Sequence, residues 1–129
     1  MQIRKVLLAE DDEDIQKVAR ISLQFRGGWE VFLATNGEEC LALAAKEHPD
    51  LILLDCMMPK LDGYETCRRL KLDQSLRHIP VIFLTARAQE TEIKKGLLLG
   101  ALGYLIKPFN PMSLVAEIQQ IMQDAEGTS

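Results

Sequence analysis

Five short apolar runs, IRKVLLA, EVFLA, LILL, VIFL and GYLI, recur along the chain at fairly even intervals, and the segments between them space their apolar residues with helical period. A short apolar run bounded by turn signals suits a buried strand, and strands that alternate with helical segments are the sequence form of a parallel sheet with crossover helices. The pattern therefore predicts an α/β fold with five parallel strands.

The helical segments carry their own start and stop signals. From Ile15 onward, Ile15, Val18, Ala19 and Ser22 form a stripe at i, i+3, i+4 and i+7, reinforced by Ile21 and Phe25, and Gly27 and Gly28 stop it. In TNGEE, Asn36 can cap a helix with Glu39 three residues on; Leu41, Ala44 and Ala45 supply its expected inward face, and Pro49 closes the region. Asp62 offers a cap for a short helix in LDGYETCRRLK. A last stripe, Leu114, Val115, Ile118, Ile121 and Met122, is expected to start just after Pro111, with residues 125–129 as a frayed polar tail.

Composition narrows the class. A chain of 129 residues fits one domain, with a core over about residues 3–122, and 47% apolar with 26% charged residues is ordinary for a globular protein. The longest apolar run, GLLLGALGYLI, is short for a membrane span and is broken by Gly100 and Gly103. Arg4 and Lys5 precede an apolar stretch that ends at Glu10, too early for a signal-peptide core, so a cytoplasmic location is expected. Cys40, Cys56 and Cys67 are odd in number without a CxxC pair, which predicts reduced thiols rather than disulfides or a zinc site. A net charge of -4 gives no electrostatic reason to bind nucleic acid, and CRRLK reads as a solvated helix face.

The unusual feature is AEDDED, where an apolar strand runs directly into acids. Asp12, Glu13 and Asp14 suit the positive end of a helix. Glu10 and Asp11 belong to the strand's end, and Asp55 ends the third run. Ligands of open parallel sheets collect beyond the carboxyl ends of the strands, so a topology with the first and third strands adjacent gathers these three carboxylates. Two carboxylates about 5 Å apart repel by roughly 3 kcal/mol at an effective dielectric near 20. Such a cluster needs a cation, and Mg²⁺, which takes oxygen ligands alongside phosphate, suits it. Thr85 and Lys107 end the fourth and fifth runs and bring a hydroxyl and a mobile positive charge to the same edge.

In AEDD, LLDCMMPKLDGYE, LTA and YLIKPF, in that order, the chain resembles the receiver domain of bacterial two-component response regulators, the CheY-like family. The resemblance runs from about Ile3 to about Met122 and implies a doubly wound, flavodoxin-like sheet of order 2-1-3-4-5 with five helices. It implies that Asp55 accepts a phosphoryl group from a histidine kinase or a histidine phosphotransfer protein. Asp11, Asp55 and the Met57 backbone carbonyl would bind Mg²⁺ (or Mn²⁺), with Glu10 acting through a coordinated water. Thr85 and Tyr104 would form a switch that alters the face built by the fourth helix, fifth strand and fifth helix, and Lys107, before a cis Pro108, would sit over the site.

Such a domain is a signalling switch that assists its own phosphorylation and dephosphorylation rather than an enzyme in the usual sense. It would act through protein contacts on a downstream target, as a monomer or a phosphorylation-promoted dimer, without direct nucleic-acid or membrane binding. Met57 and Arg87 are expected to tune the lifetime of the phosphoform. Cys56 reads as a packing residue, and His48 and His78 as solvated loop residues. A haloacid-dehalogenase-type phosphatase would need its DxD pair outside the first helix, and a Toprim-type core would need a second acid after Asp55; neither pattern is present.

Overall fold

A computed structural model describes residues 2–86 and 89–127. The order is β1 (Lys5–Ala9), α1 (Glu13–Phe25), β2 (Glu30–Ala34), α2 (Gly37–Glu47), β3 (Leu51–Asp55), α3 (Gly63–Leu72), β4 (Val81–Thr85), α4 (Glu90–Leu98), β5 (Gly103–Ile106) and α5 (Leu114–Gly127). The five strands pair in parallel in the order β2-β1-β3-β4-β5. This is the expected sheet, with β1 and β3 adjacent at the point where the winding reverses.

Strand alternation divides the core into two layers. Val6, Leu8, Leu51, Leu53, Ile82, Leu84 and Leu105 pack with Ala19 and Leu23 of α1 and Leu114, Ile118 and Met122 of α5. Leu7, Ala9, Ile52, Leu54, Val81 and Phe83 pack on the other face with Cys40 and Ala44 of α2 and Cys67 and Leu70 of α3. Both faces of β1, β3 and β4 are thus buried, which is why these strands are apolar throughout rather than alternating.

The caps follow side-chain chemistry. Asp12 accepts from the amides of Asp14 and Ile15, Asn36 from that of Glu39, and Asp62 from that of Glu65. Glu39 reaches back to the Thr35 amide at 2.7 Å, one residue earlier than a capping box requires. Gly28, at φ +69, turns the chain out of α1, and the Gly27, Gly28 and Trp29 amides bond back to helix carbonyls.

Three local expectations are corrected. α1 buries Ala19, Ser22 and Leu23, leaving Val18, Ile21 and Phe25 at 41, 57 and 83% exposure. Its apolar residues span more of the helix than one buried stripe can use, and the Ser22 hydroxyl, donating to the Pro111 carbonyl at 2.6 Å, is part of the packing against the α5 side that fixes its rotation. In α2, Cys40 faces inward with Ala44, whereas Ala45 is exposed. α5 begins at Leu114 rather than just after Pro111, because Asn110 opens a preceding turn: its carboxamide accepts from the Met112 amide and its carbonyl from the Ser113 and Leu114 amides. The helix then runs to Gly127, into the stretch expected to fray.

The loop after β3 is held tightly under the site. A Cβ on Gly63 would stand 2.1 Å from the Asp55 carbonyl oxygen, and the Gly63 amide donates to the Cys56 carbonyl at 3.1 Å. Both neighbours are backbone, so neither can step aside. Gly63→Ala is therefore expected to destabilise the fold by about 1–3 kcal/mol, the usual range for overpacking; urea denaturation checks this, and a midpoint equal to wild type overturns it.

Candidate functional site

Parity along the strands decides which side chains meet. Leu8, Leu53 and Leu105 point toward α1 and α5, so the residues two further on, Glu10, Asp55 and Lys107, emerge on that side of the sheet's carboxyl edge. Phe83 and Tyr104 belong to the opposite layer, and Thr85 shares their parity. Register aligns the edge, since Asp55 pairs with Leu84 and Thr85 with Ile106, while the Lys107 amide donates to the Thr85 carbonyl at 2.8 Å.

Lys107 is the centre of charge. Its ammonium donates to Glu10 Oε1 at 2.9 Å and to Asp55 Oδ2 at 3.0 Å. Glu10 is 1% exposed and Asp55 is buried, so both pairs are largely removed from water. The remaining oxygens are also held: Glu10 Oε2 accepts from the Asp12 amide and Asp55 Oδ1 from the Met57 amide, each at 3.1 Å. Burial raises the Glu10 pKa to about 7; the bonds from Lys107 and Asp12 lower it, and the neighbouring Asp55 charge adds to the rise. Burial pulls the Lys107 pKa down, but its bonds to Glu10 and Asp55 together turn the net shift upward.

One carboxylate oxygen from each of Glu10, Asp11 and Asp55 lies within 4.8 Å of the others, with Asp11 exposed at the rim. These residues, with Met57, Thr85 and Lys107, line a cavity of about 260 Å³. Among the described residues, three acids facing one ammonium leave negative charge to be met, and an all-oxygen donor set fits Mg²⁺. The acids converge from two strands.

The sequence-predicted residues divide clearly. Glu10, Asp11, Asp55, Met57, Thr85 and Lys107 come together; the Met57 side chain is 76% exposed at the mouth. Arg87 lies outside the described residues. Tyr104 is not at the cavity: its hydroxyl donates to the Glu92 and Ile93 carbonyls of α4, at 2.5 and 3.1 Å, and its ring stacks on Phe83. Lys107-Pro108 is cis, as the resemblance implies. Cys56 is buried beside Tyr64, and burial raises its thiol pKa. The three cysteines are free and buried, and burial pushes Cys40 and Cys67 to about 12 and 11. His48 and His78 are exposed.

Sequence reasoning missed the residues around Tyr104, namely Tyr64, Phe83, Lys95 and Gly96. A glycine inside a helical segment, seven residues before GYLI's first residue, was the available signal.

The family model for the response regulator receiver domain matches residues 6–119. The alkaline phosphatase synthesis transcriptional regulatory protein PhoP of Bacillus subtilis (strain 168) is 40% identical over 123 residues, covering 95% of this chain and 50% of PhoP. A ycf27 protein of Porphyridium aerugineum, named as a probable transcriptional regulator, is 38% identical over 129 residues, covering all of this chain and 52% of its own. The chain thus spans about half the length of these curated relatives. Among solved structures, the chemotaxis response regulator CheY4 of Vibrio cholerae superposes with a TM-score of 0.86 at 33% identity, covering 92% of this chain and 98% of CheY4. A BeF3-activated DrrB receiver domain gives 0.80 at 31%, covering 94% and 98%.

The raised Glu10 pKa sets a pH dependence. Between its ordinary 4.5 and about 7, the folded state holds more protons at Glu10 than the unfolded state does, so the metal-free protein loses stability as pH rises through that window. The loss is at most a few kcal/mol, since one pKa step is worth about 1.4 kcal/mol. Denaturation in a chelating buffer at pH 5 and pH 7.5 checks the slope. Glu10→Gln is expected to flatten it; the same slope in wild type and variant would assign it elsewhere.

Proposed function

The chain belongs to the response regulator receiver domain family, and from that premise we propose that it is a signalling switch in which Asp55 is the phosphoacceptor. The single observation that carries the reading is Lys107 bridging Glu10 and Asp55 inside an acidic cavity at the carboxyl edge of the sheet. Receiver domains work with histidine kinases or phosphotransfer proteins and with downstream effectors, and act as switches rather than as enzymes in the usual sense.

In the proposed reaction an Asp55 carboxylate oxygen attacks the phosphorus of a phosphohistidine in line. The P–O bond forms as the P–N bond breaks, and the bonding pair returns to the imidazole nitrogen of the donor. Asp55 is poised for this by the Met57 amide on one oxygen and Lys107 on the other. Asp11 and Asp55, with the Met57 carbonyl, would hold Mg²⁺ or Mn²⁺ directly, and Glu10 would hold it through a water. Bound there, such an ion would supply positive charge against the phosphoryl oxygens. Lys107 exchanges its Asp55 bond for a phosphoryl oxygen, and Thr85 contributes its hydroxyl to another.

Thr85 couples the site to the rest of the domain because it stands on the Tyr104 side of the sheet. Movement of Thr85 toward the phosphoryl group changes the space available to Tyr104 and thereby the α4-β5-α5 face. That face exposes Leu97, Leu98 and Ile106, apolar residues suited to protein contact and not to nucleic acid. No helix among the described residues is long and apolar enough to cross a membrane. We place the switch in the cytoplasm, where its phosphodonors act, as a monomer or a dimer promoted by phosphorylation.

Incubation with Mg²⁺ and an acyl phosphate should add one phosphoryl group by intact mass, and Asp55→Asn should add none. Lys107→Ala should cut uptake about tenfold or more, in line with losing a positioned charge in phosphoryl transfer. A folded wild-type chain that gains no mass, or an Asp55→Asn chain that still gains it, overturns the assignment. Bulky Met57 at the mouth and long Arg87 should hinder in-line water. Met57→Asn combined with Arg87→Glu is accordingly expected to lose phosphate faster, and an unchanged or slower rate discards that role.

A further inference from the structure

Among the described helices, α4 buries the fewest residues. Among its described residues Gly96 alone is buried, its N-cap residue Gln89 makes no side-chain capping bond, and Leu97 and Leu98 point largely into solvent. Of its other apolar side chains only Ile93 and the C-cap Leu99 are half-buried.

Its side-chain ties run instead to one row of aromatic rings. Tyr64 of α3, Phe83 of β4 and Tyr104 of β5 line up with centroid separations of 5.2 and 5.7 Å. The Lys95 ammonium lies 4.3 Å from the centre of the Tyr64 ring, a cation–π distance. Gly96 rests on Phe83. The Tyr104 hydroxyl reaches under the helix to the Glu92 and Ile93 carbonyls.

Residue 96 decides whether that last contact can exist. A Cβ there would stand 2.1 Å from the Tyr104 hydroxyl oxygen and 2.9 Å from two carbons of the Phe83 ring. Glycine inside a helix costs stability relative to alanine, so this position gives up helix propensity at the one place where a side chain would strike the hydroxyl. The backbone carbonyls that receive Tyr104 retain a second lone pair beyond the one used within the helix, so the contact need not unravel the turn.

We infer that Gly96 is a positioning residue: by omitting a side chain it forms the seat in which the Tyr104 hydroxyl binds the α4 backbone, making the Tyr104 ring and the docking of α4 a single two-state element. Displacing the ring then frees the helix, and displacing the helix frees the ring. Its meaning for signalling rests on the proposed Asp55 switch; the seat itself does not.

A double-mutant cycle on the chain without phosphodonor tests the seat, read by hydrogen exchange of the α4 amides. Gly96→Ala alone should accelerate their exchange about tenfold or more, and Tyr104→Phe alone several-fold. In the Tyr104→Phe background, Gly96→Ala should cost markedly less, because the alanine methyl no longer meets a hydroxyl and only its contact with the Phe83 ring remains. Unchanged protection in β1 and β3 confirms that each variant is folded. Equal effects of Gly96→Ala in both backgrounds overturn the inference.

A second arm separates the seat from the switch. With acyl phosphate and Mg²⁺, Gly96→Ala should take up phosphate as wild type does by intact mass, while its α4 exchange responds to phosphorylation less than wild type's does. Equal responses remove the seat from the switch; absent uptake in both chains removes the Asp55 reading, and the seat is then decided by the double-mutant cycle alone.

Discussion

Negative charge gathered at the carboxyl edge of the sheet, and answered among the described residues by the Lys107 ammonium, governs how the groups around it are placed. Glu10 and Asp55 are buried where no acid would settle unaided, and each gives one oxygen to Lys107 and the other to a backbone amide. Breaking a buried pair leaves an uncompensated charge at a cost of about 3–5 kcal/mol, so the strand ends that carry these groups must stay in register. Placing β1 and β3 side by side brings the acids together, and β5 at the sheet edge returns Lys107 over them. With Asp11 at the rim the carboxylates still outnumber the cation, which leaves the site suited to a divalent ion and a phosphoryl group.

The pleat separates chemistry from output. Glu10, Asp55 and Lys107 emerge toward α1 and α5, whereas Thr85 shares the parity of Phe83 and Tyr104, on the layer where α4 lies. Thr85 is therefore the strand end at the cavity that belongs to the layer where α4 lies. Gly63 serves the same arrangement from below: its missing side chain lets the loop after β3 close directly on the Asp55 backbone, fixing the Asp55 carbonyl while its carboxylate lines the cavity.

Much of this was legible in the sequence because burial on both faces writes strands as continuous apolar runs, and because caps advertise themselves as Asp or Asn three residues before an amide they satisfy. The cluster of Glu10, Asp11, Asp55, Thr85 and Lys107 was legible for a similar reason, each residue ending a strand. Helix rotation was not. α1 offers Val18, Ile21 and Phe25 as readily as Ala19 and Leu23, and only packing against α5 and the sheet selects among them. The start of α5 was misplaced because a proline suits a first turn in general, while here Asn110 already caps a turn that contains it. Gly96 signalled only that something approaches the helix; what approaches was not legible, because Tyr104 is adjacent in space rather than in sequence.

Magnitudes explain why α4, rather than a neighbouring helix, is suited to respond. A phosphoryl group can shift an equilibrium only by the difference in its contacts with the two states, and moving a population from mostly one state to mostly the other takes about 5.5 kcal/mol. α5 buries Leu114, Val115, Ile118 and Met122, and full burial of such side chains is worth roughly 1.5–3 kcal/mol each, too much to release. The side-chain ties identified for α4 include a tyrosine hydroxyl bond and a lysine over the half-buried Tyr64 ring, contributing about 1 kcal/mol apiece. An element held that lightly lies within reach of a few new contacts at Thr85 and Lys107. The fold thus holds its acidic edge together by charge and docks α4 with few buried side chains.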